Sequence, residues 1–173
     1  MGCSCGPSPA RWGCRSRRSW RSGCRSCTAK GWRAGSARSA RCRARELLER
    51  LTSIGVPWAI ATSGRAETAH RIAGLLEVPP DTVVITRDEV PYAKPNPDLF
   101  LAAAARLGRD PHDCFVVGDS VWDMLAARRA SALGIGLLSG GYGREELTAA
   151  GTYRVYDDPA DLLAHLDELG IRH

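Results

Sequence analysis

Apolar and polar positions follow two alternating rhythms from Glu46 onward. Leu47, Leu48 and Leu51 recur at helical spacing within residues 46–53, and Gly55 follows as a C-terminal stop. Residues 58–62 are a short apolar run, read as a buried strand. Residues 66–77 return to helical spacing, with Ile72, Leu75 and Leu76 expected on the inner face and Val78-Pro79-Pro80 closing the segment. Residues 82–86 are rich in β-branched side chains and predict a second strand. Residues 97–107 predict a helix with proline at its first position, Asp98 in its first turn and Gly108 beyond its end. Residues 114–117 form a third apolar run. A helix from Val121 to about Ala132, a strand over 135–138, a helix near Glu145, a strand over 153–156 and a last helix from Pro159 complete the series.

Strands alternating with helices of about ten residues imply right-handed βαβ crossovers. The expected fold is therefore α/β, a Rossmann-like parallel sheet with helices on both faces. Ligands of such sheets bind beyond the carboxyl ends of the strands. The chemistry is to be sought there.

Charge changes the picture at the other end of the chain. Residues 1–45 hold eleven Arg and Lys30 with no Asp or Glu, whereas all nineteen acidic residues and the other twelve basic ones follow. The overall charge of +5 thus averages a strongly basic arm and an acidic body. The arm contains no Leu, Ile, Val, Phe or Tyr, cannot bury enough surface to offset chain entropy, and is expected to be disordered. Two segments follow from this division: 1–45, basic and rich in Cys, Arg, Ser and Gly, and 46–173, the folded part.

Four readings of the arm stand side by side. Arg17-Arg18 and the acid-free composition suit a targeting peptide, but no apolar stretch follows. Cys24 and Cys27 have the spacing of a zinc half-site, while Cys3 and Cys5 lack the spacing of its other half. Twelve positive charges would bind nucleic-acid phosphates without reading sequence. The composition is also what G+C-rich codons give in another reading frame, and the switch to well-patterned helix near Arg45 is abrupt. Cys114 is the sole cysteine of the acidic part, which suits a reducing cytoplasm. No apolar run approaches the ~20 residues of a membrane span.

Three polar motifs end predicted strands. Thr62, followed by Ser63 and Gly64, offers a hydroxyl and backbone N–H groups to a phosphoryl oxygen, although Ser and Thr are also ordinary helix caps. Lys94 lies between Val90-Pro91-Tyr92-Ala93 and Pro95-Asn96-Pro97-Asp98, where prolines stiffen the backbone and Asn96 is placed to cap the next helix. A fixed ammonium there can neutralise a carboxylate and a transferring phosphoryl group together. Asp119 and Asp123 in Gly118-Asp119-Ser120-Val121-Trp122-Asp123 follow an apolar strand and lie one helical turn apart, an arrangement suited to Mg²⁺. Ser120 and Asp123 also have capping-box spacing.

In order and spacing these motifs resemble the haloacid dehalogenase-like superfamily, over essentially all of residues 46–173. The resemblance implies that Thr62 is the strand-end hydroxyl of the second motif, Lys94 the lysine of the third, and Asp119 and Asp123 the acidic pair of the fourth. It implies a phosphatase: Mg²⁺-dependent hydrolysis of a small phosphorylated metabolite through an aspartyl-phosphate. A phosphomutase would share these motifs. The family's first motif, Asp-x-Asp, supplies nucleophile and general acid and base. No Asp-x-Asp occurs in this sequence, whose first aspartate is Asp81, and the family's cap domain has no counterpart either. The nucleophile's strand is central in the family's sheet, between the strands equivalent to 58–62 and 114–117. The expectation is a core missing that strand, catalytically silent, and prone to self-association through unpaired strands. The alternative is a non-catalytic protein that uses the basic arm for nucleic acid.

Overall fold

The computed structural model describes the backbone of residues 37–171 and the side chains of residues 43–171. The proposed zinc half-site and most of the basic arm lie outside the described residues. In chain order the elements are α1 (Ala37–Ser53), β1 (Ala59–Ala61), α2 (Ala66–Leu76), β2 (Val83–Ile85), α3 (Asp98–Leu107), β3 (Phe115–Gly118), α4 (Val121–Arg129), β4 (Leu133–Leu137), α5 (Arg144–Ala149), β5 (Arg154–Tyr156) and α6 (Pro159–Ala164).

Every strand pairing is parallel, but the strands form two sheets. β1 pairs with β2, with Ile60 opposite Val84. β3, β4 and β5 form the second sheet, with Val116 opposite Gly134 and Gly136 opposite Val155. β1 and β3, the two strands expected to flank the absent one, have not closed on each other. Each keeps one edge unpaired among the described residues.

Helices cover both faces of the larger sheet. Along β4 successive residues point to opposite sides. Ile135 and Leu137 pack with Leu47 of α1 and with Leu162 and Leu166 of α6 and the turn after it. On the other side a Cβ at Gly134 would meet the Met124 sulfur, and one at Gly136 would meet Leu147 at 3.1 Å. Those two glycines let α4 and α5 approach the sheet closely. Met124, Ile135, Leu147 and Leu162 are fully buried, each contributing roughly 1.5–3 kcal/mol through lost apolar exposure.

Four local expectations need correction. The first helix begins at Ala37, so the expected boundary between residues 45 and 46 falls inside it. Ala and Arg are strong helix formers, and the helix extends from a packed half carrying Leu47 and Leu51. Its charges also find partners: Arg43 binds Asp158 at 2.8 Å, and Arg45 binds Glu49 and Glu77. Second, α3 is capped by the backbone of Pro97, and no side chain caps it, so Asn96 is not its cap. Third, α4 ends at Arg129, three residues earlier than expected, because Ala130 to Leu133 must turn back into β4. Fourth, Ile72 and Leu75 of α2 are exposed, at 44% and 55%, and only Ala69 of that helix is buried. The apolar stripe is present, but no described element lies over it.

Candidate functional site

The site is assembled at the carboxyl ends of β1 and β3. β1 ends at Ala61, and the Thr62 amide donates to the Ile85 carbonyl at 2.9 Å, continuing the ladder. Thr62 Oγ1 then accepts from the Gly64 amide at 3.0 Å, closing a tight turn. The Arg87 amide donates to the Gly64 carbonyl, and Asp88 accepts from the Ala66 amide at 2.9 Å. The loop after β2 therefore braces the loop after β1 and engages one of the free donors at the start of α2. Ser63 is left exposed between them.

Lys94 reaches across the molecule to this rim. Its ammonium donates to Asp123 Oδ1 at 2.7 Å and lies 3.4 Å from the Ala61 carbonyl oxygen. Its Nζ stands 5.4 Å from the centre of the Phe100 ring, within reach of cation–π attraction. Arg129 of α4 donates to the Pro95 carbonyl at 2.8 Å and ties the lysine's loop down. One ammonium thus joins the end of β1 to the start of α4, across the gap between the two sheets.

The two acids of the last motif are not equivalent. Asp123 is buried, 6% exposed, and both its oxygens are engaged. Oδ1 takes Lys94, and Oδ2 accepts from the Ser120 hydroxyl at 2.7 Å and the Ser120 amide at 3.2 Å. Ser120 Oγ in turn accepts from the Asp123 amide, completing a capping box. Asp119 is exposed, and its carboxylate makes no hydrogen bond or ion pair among the described residues. One carboxylate is committed to the protein and the other is available.

Two glycines whose roles were not legible in the sequence fix this arrangement. A Cβ at Gly118 would fall inside the Asp123 side chain, 2.6 Å from its Cγ. A Cβ at Gly140, in the turn after β4, would collide with the Asp119 carbonyl oxygen and lie 2.7 Å from Asp119 Cγ. The only advance signal was the placement of glycine beside each acidic motif and at the end of a strand. Asp88 was missed as well, because its contact with α2 spans twenty-two residues.

The donor set can be tested against Mg²⁺, which takes oxygen ligands, keeps several waters and is bound through one or two carboxylates. Asp119 meets that requirement, exposed and unpaired at the sheet's rim. Asp123 does not, while it holds Lys94 and caps α4. No cluster of three or more His, Cys, Asp or Glu side chains stands together among the described residues, so nothing resembles a closed metal cage.

The family model described as haloacid dehalogenase-like hydrolase matches residues 36–131. Hexitol phosphatase A of Escherichia coli (strain K12) is 41% identical over 87 residues, which are 49% of this chain and 39% of that protein. Phosphoglycolate phosphatase of Salmonella typhi is 37% identical over 92 residues, 53% of this chain and 35% of that protein. A hydrolase from Pseudomonas syringae superposes with a TM-score of 0.70 at 53% identity, covering 72% of this chain and 58% of that one. A hydrolase from Deinococcus radiodurans R1, solved with bound phosphate and sodium, superposes with a TM-score of 0.66 at 35% identity, covering 74% and 59%. The chain spans about two fifths of the length of these two phosphatases and under two thirds of the two solved hydrolases. No helix among the described residues is long and apolar enough to cross a membrane.

Proposed function

We propose, from the premise that the chain belongs to the haloacid dehalogenase-like hydrolase family, that its rim is the phosphate- and Mg²⁺-handling part of a phosphatase acting on a small phosphorylated metabolite. The carrying observation is the contrast between a saturated Asp123 and a free Asp119 on either side of Ser120. In this reading Asp119 is the Mg²⁺ ligand, and Asp123 positions Lys94. Lys94 and Thr62, with Ser63 and Gly64, hold the phosphoryl group; the Thr62 hydroxyl keeps its proton for that purpose, since it accepts from Gly64. Mg²⁺, when bound, supplies positive charge to the phosphoryl oxygens. The phosphate held by the Deinococcus relative supports the substrate class.

Positioning alone does not break a phosphate ester. The chain has no Asp-x-Asp, and of the carboxylates at these strand ends Asp119 is free to take a cation, Asp123 holds a lysine and Asp88 binds the first turn of α2. No carboxylate remains to attack phosphorus or to pass a proton. The 173-residue chain is therefore expected to bind without turnover.

Two measurements on the purified chain test both halves. Mg²⁺ should raise the thermal midpoint, Asp119→Asn should abolish that response, and hydrolysis of an aryl phosphate should stay at the buffer rate. Mg²⁺-dependent turnover lost with Asp119→Ala would refute the silence. A Mg²⁺ response unchanged by Asp119→Asn would refute the ligand assignment.

A further inference from the structure

Between the end of β1 and the first turn of α2 the chain has four residues, Thr62 to Arg65, with little of their own to hold them. Thr62 Oγ1 accepts from the Gly64 amide, but Arg65, the residue ahead of the helix, makes no side-chain cap. The Ser63 amide has no hydrogen-bond partner among the described residues, so it remains a donor for a bound oxyanion. Such a donor serves only if its backbone is fixed to within about 0.5 Å of the productive position.

The missing restraint comes from the turn after β2. The Arg87 amide donates to the Gly64 carbonyl at 3.2 Å, and Asp88 Oδ2 accepts from the Ala66 amide at 2.9 Å. Asp88 thus supplies, from twenty-two residues away, the cap that Arg65 does not make. The turn that carries Asp88 is itself held on several sides. Glu89 Oε1 accepts from the Thr86 amide at 2.9 Å and the Thr86 hydroxyl at 3.2 Å. The Glu89 amide donates to the Thr86 carbonyl at 3.1 Å, and Glu89 Oε2 takes Arg106 of α3 at 3.1 Å. Thr86, at the root of the turn, is 2% exposed. Asp88 therefore stands on a rigid base.

We infer that Asp88 is a positioning residue for the phosphoryl-binding loop: through Ala66 it fixes the backbone that presents the Thr62 hydroxyl and the Ser63 amide. The inference rests on the phosphatase reading of the rim and adds to it a residue that touches no ligand. An acid this close to a phosphoryl site repels the phosphate, so attraction for the substrate does not account for Asp88. A bond accepted from the first amide of a helix does. Charge and bond thus pull phosphate affinity in opposite directions, and substitution separates them.

The test titrates inorganic phosphate into the full chain with Mg²⁺ present, by isothermal titration calorimetry, with circular dichroism showing that each variant is folded. Asp88→Ala should weaken phosphate binding about fivefold, the equivalent of one net hydrogen bond. Asp88→Asn keeps an acceptor oxygen and loses the negative charge, so its affinity should match or exceed that of the unaltered chain. Ala66→Pro removes the donor instead. Ala66 is the first residue of α2, where proline is favoured, and Arg65 before it is already extended, at φ −73° and ψ 159°, so the helix should survive. This variant should bind phosphate at least about fivefold more weakly, and adding Asp88→Ala to it should weaken binding no further.

Equal affinity of Asp88→Ala and the unaltered chain would overturn the inference and leave the phosphatase reading in place. A loss in Asp88→Asn as large as that in Asp88→Ala would do the same, because charge and not the bond would be responsible. So would additive losses in the double variant. Ala66→Pro with undiminished affinity decides against the inference even if Asp88→Ala does not fold. Absence of phosphate binding by the unaltered chain would sink the inference and the phosphatase reading together.

Discussion

Asp123→Ala removes the group that locks the rim together. It deletes a 2.7 Å ion pair to Lys94 and two bonds accepted from Ser120, all at a side chain with 8% exposure. Breaking one side of a buried ion pair costs about 3–5 kcal/mol, and losing a helix cap costs about 0.5–2 kcal/mol. Lys94 softens the loss, because its side chain is 18% exposed and retains the Ala61 carbonyl. The expected net destabilisation is therefore about 3 kcal/mol, and the Tm falls by roughly 6–12 °C for a chain of this size. Urea unfolding followed by circular dichroism measures it. Asp119→Ala is the internal control: an exposed carboxylate without a partner, it should change stability by no more than about 0.5 kcal/mol. A second control is Lys94→Met with Asp123→Leu, which removes both charges and should recover much of the loss. Equal costs for Asp123→Ala and Asp119→Ala would refute the division of roles between the two acids. A double variant no more stable than Asp123→Ala would refute the account of the cost as an uncompensated buried ammonium.

Gly140→Ala should destabilise the chain by about 1–3 kcal/mol and weaken its Mg²⁺ response, because the new methyl must displace the Asp119 backbone. Gly74→Ala, with open space at its Cβ inside α2, should instead stabilise by about 0.5–1 kcal/mol in the same urea titration. Tyr156→Phe tests alkaline stability. Burial, then the hydrogen bond to Glu168, pushes the Tyr156 phenol from its ordinary 10.0 up to about 12. The folded state therefore retains a proton that the unfolded chain loses, and this contribution is whole below pH 10 and drains away as pH rises to about 12. The Phe variant should decline less steeply across that window, and an identical slope would refute the assignment.

The order of strands and helices, their parallel pairing and the placement of Thr62 and Asp119 just beyond strands could be read from the sequence, whereas Lys94, read there as a strand-end residue, stands in the loop before α3 and reaches the rim through its side chain. Those features depend on local periodicity and on breakers such as Gly108 and Pro159, which act within a few residues of themselves. The start of α1 was harder to read, because Ala- and Arg-rich segments lack an apolar period, and their helicity depends on packing further along and on partners such as Asp158. Tertiary structure alone decided that β1 and β3 stay apart, since an unpaired strand has the same sequence as a paired one. It also decided which acid is free. Asp119 and Asp123 are chemically identical, and they differ because an ammonium twenty-nine residues away closes on one of them. Such a contact is set by the path of the backbone through Gly118 and Gly140, where the absence of a Cβ matters only once the chain has folded back on itself.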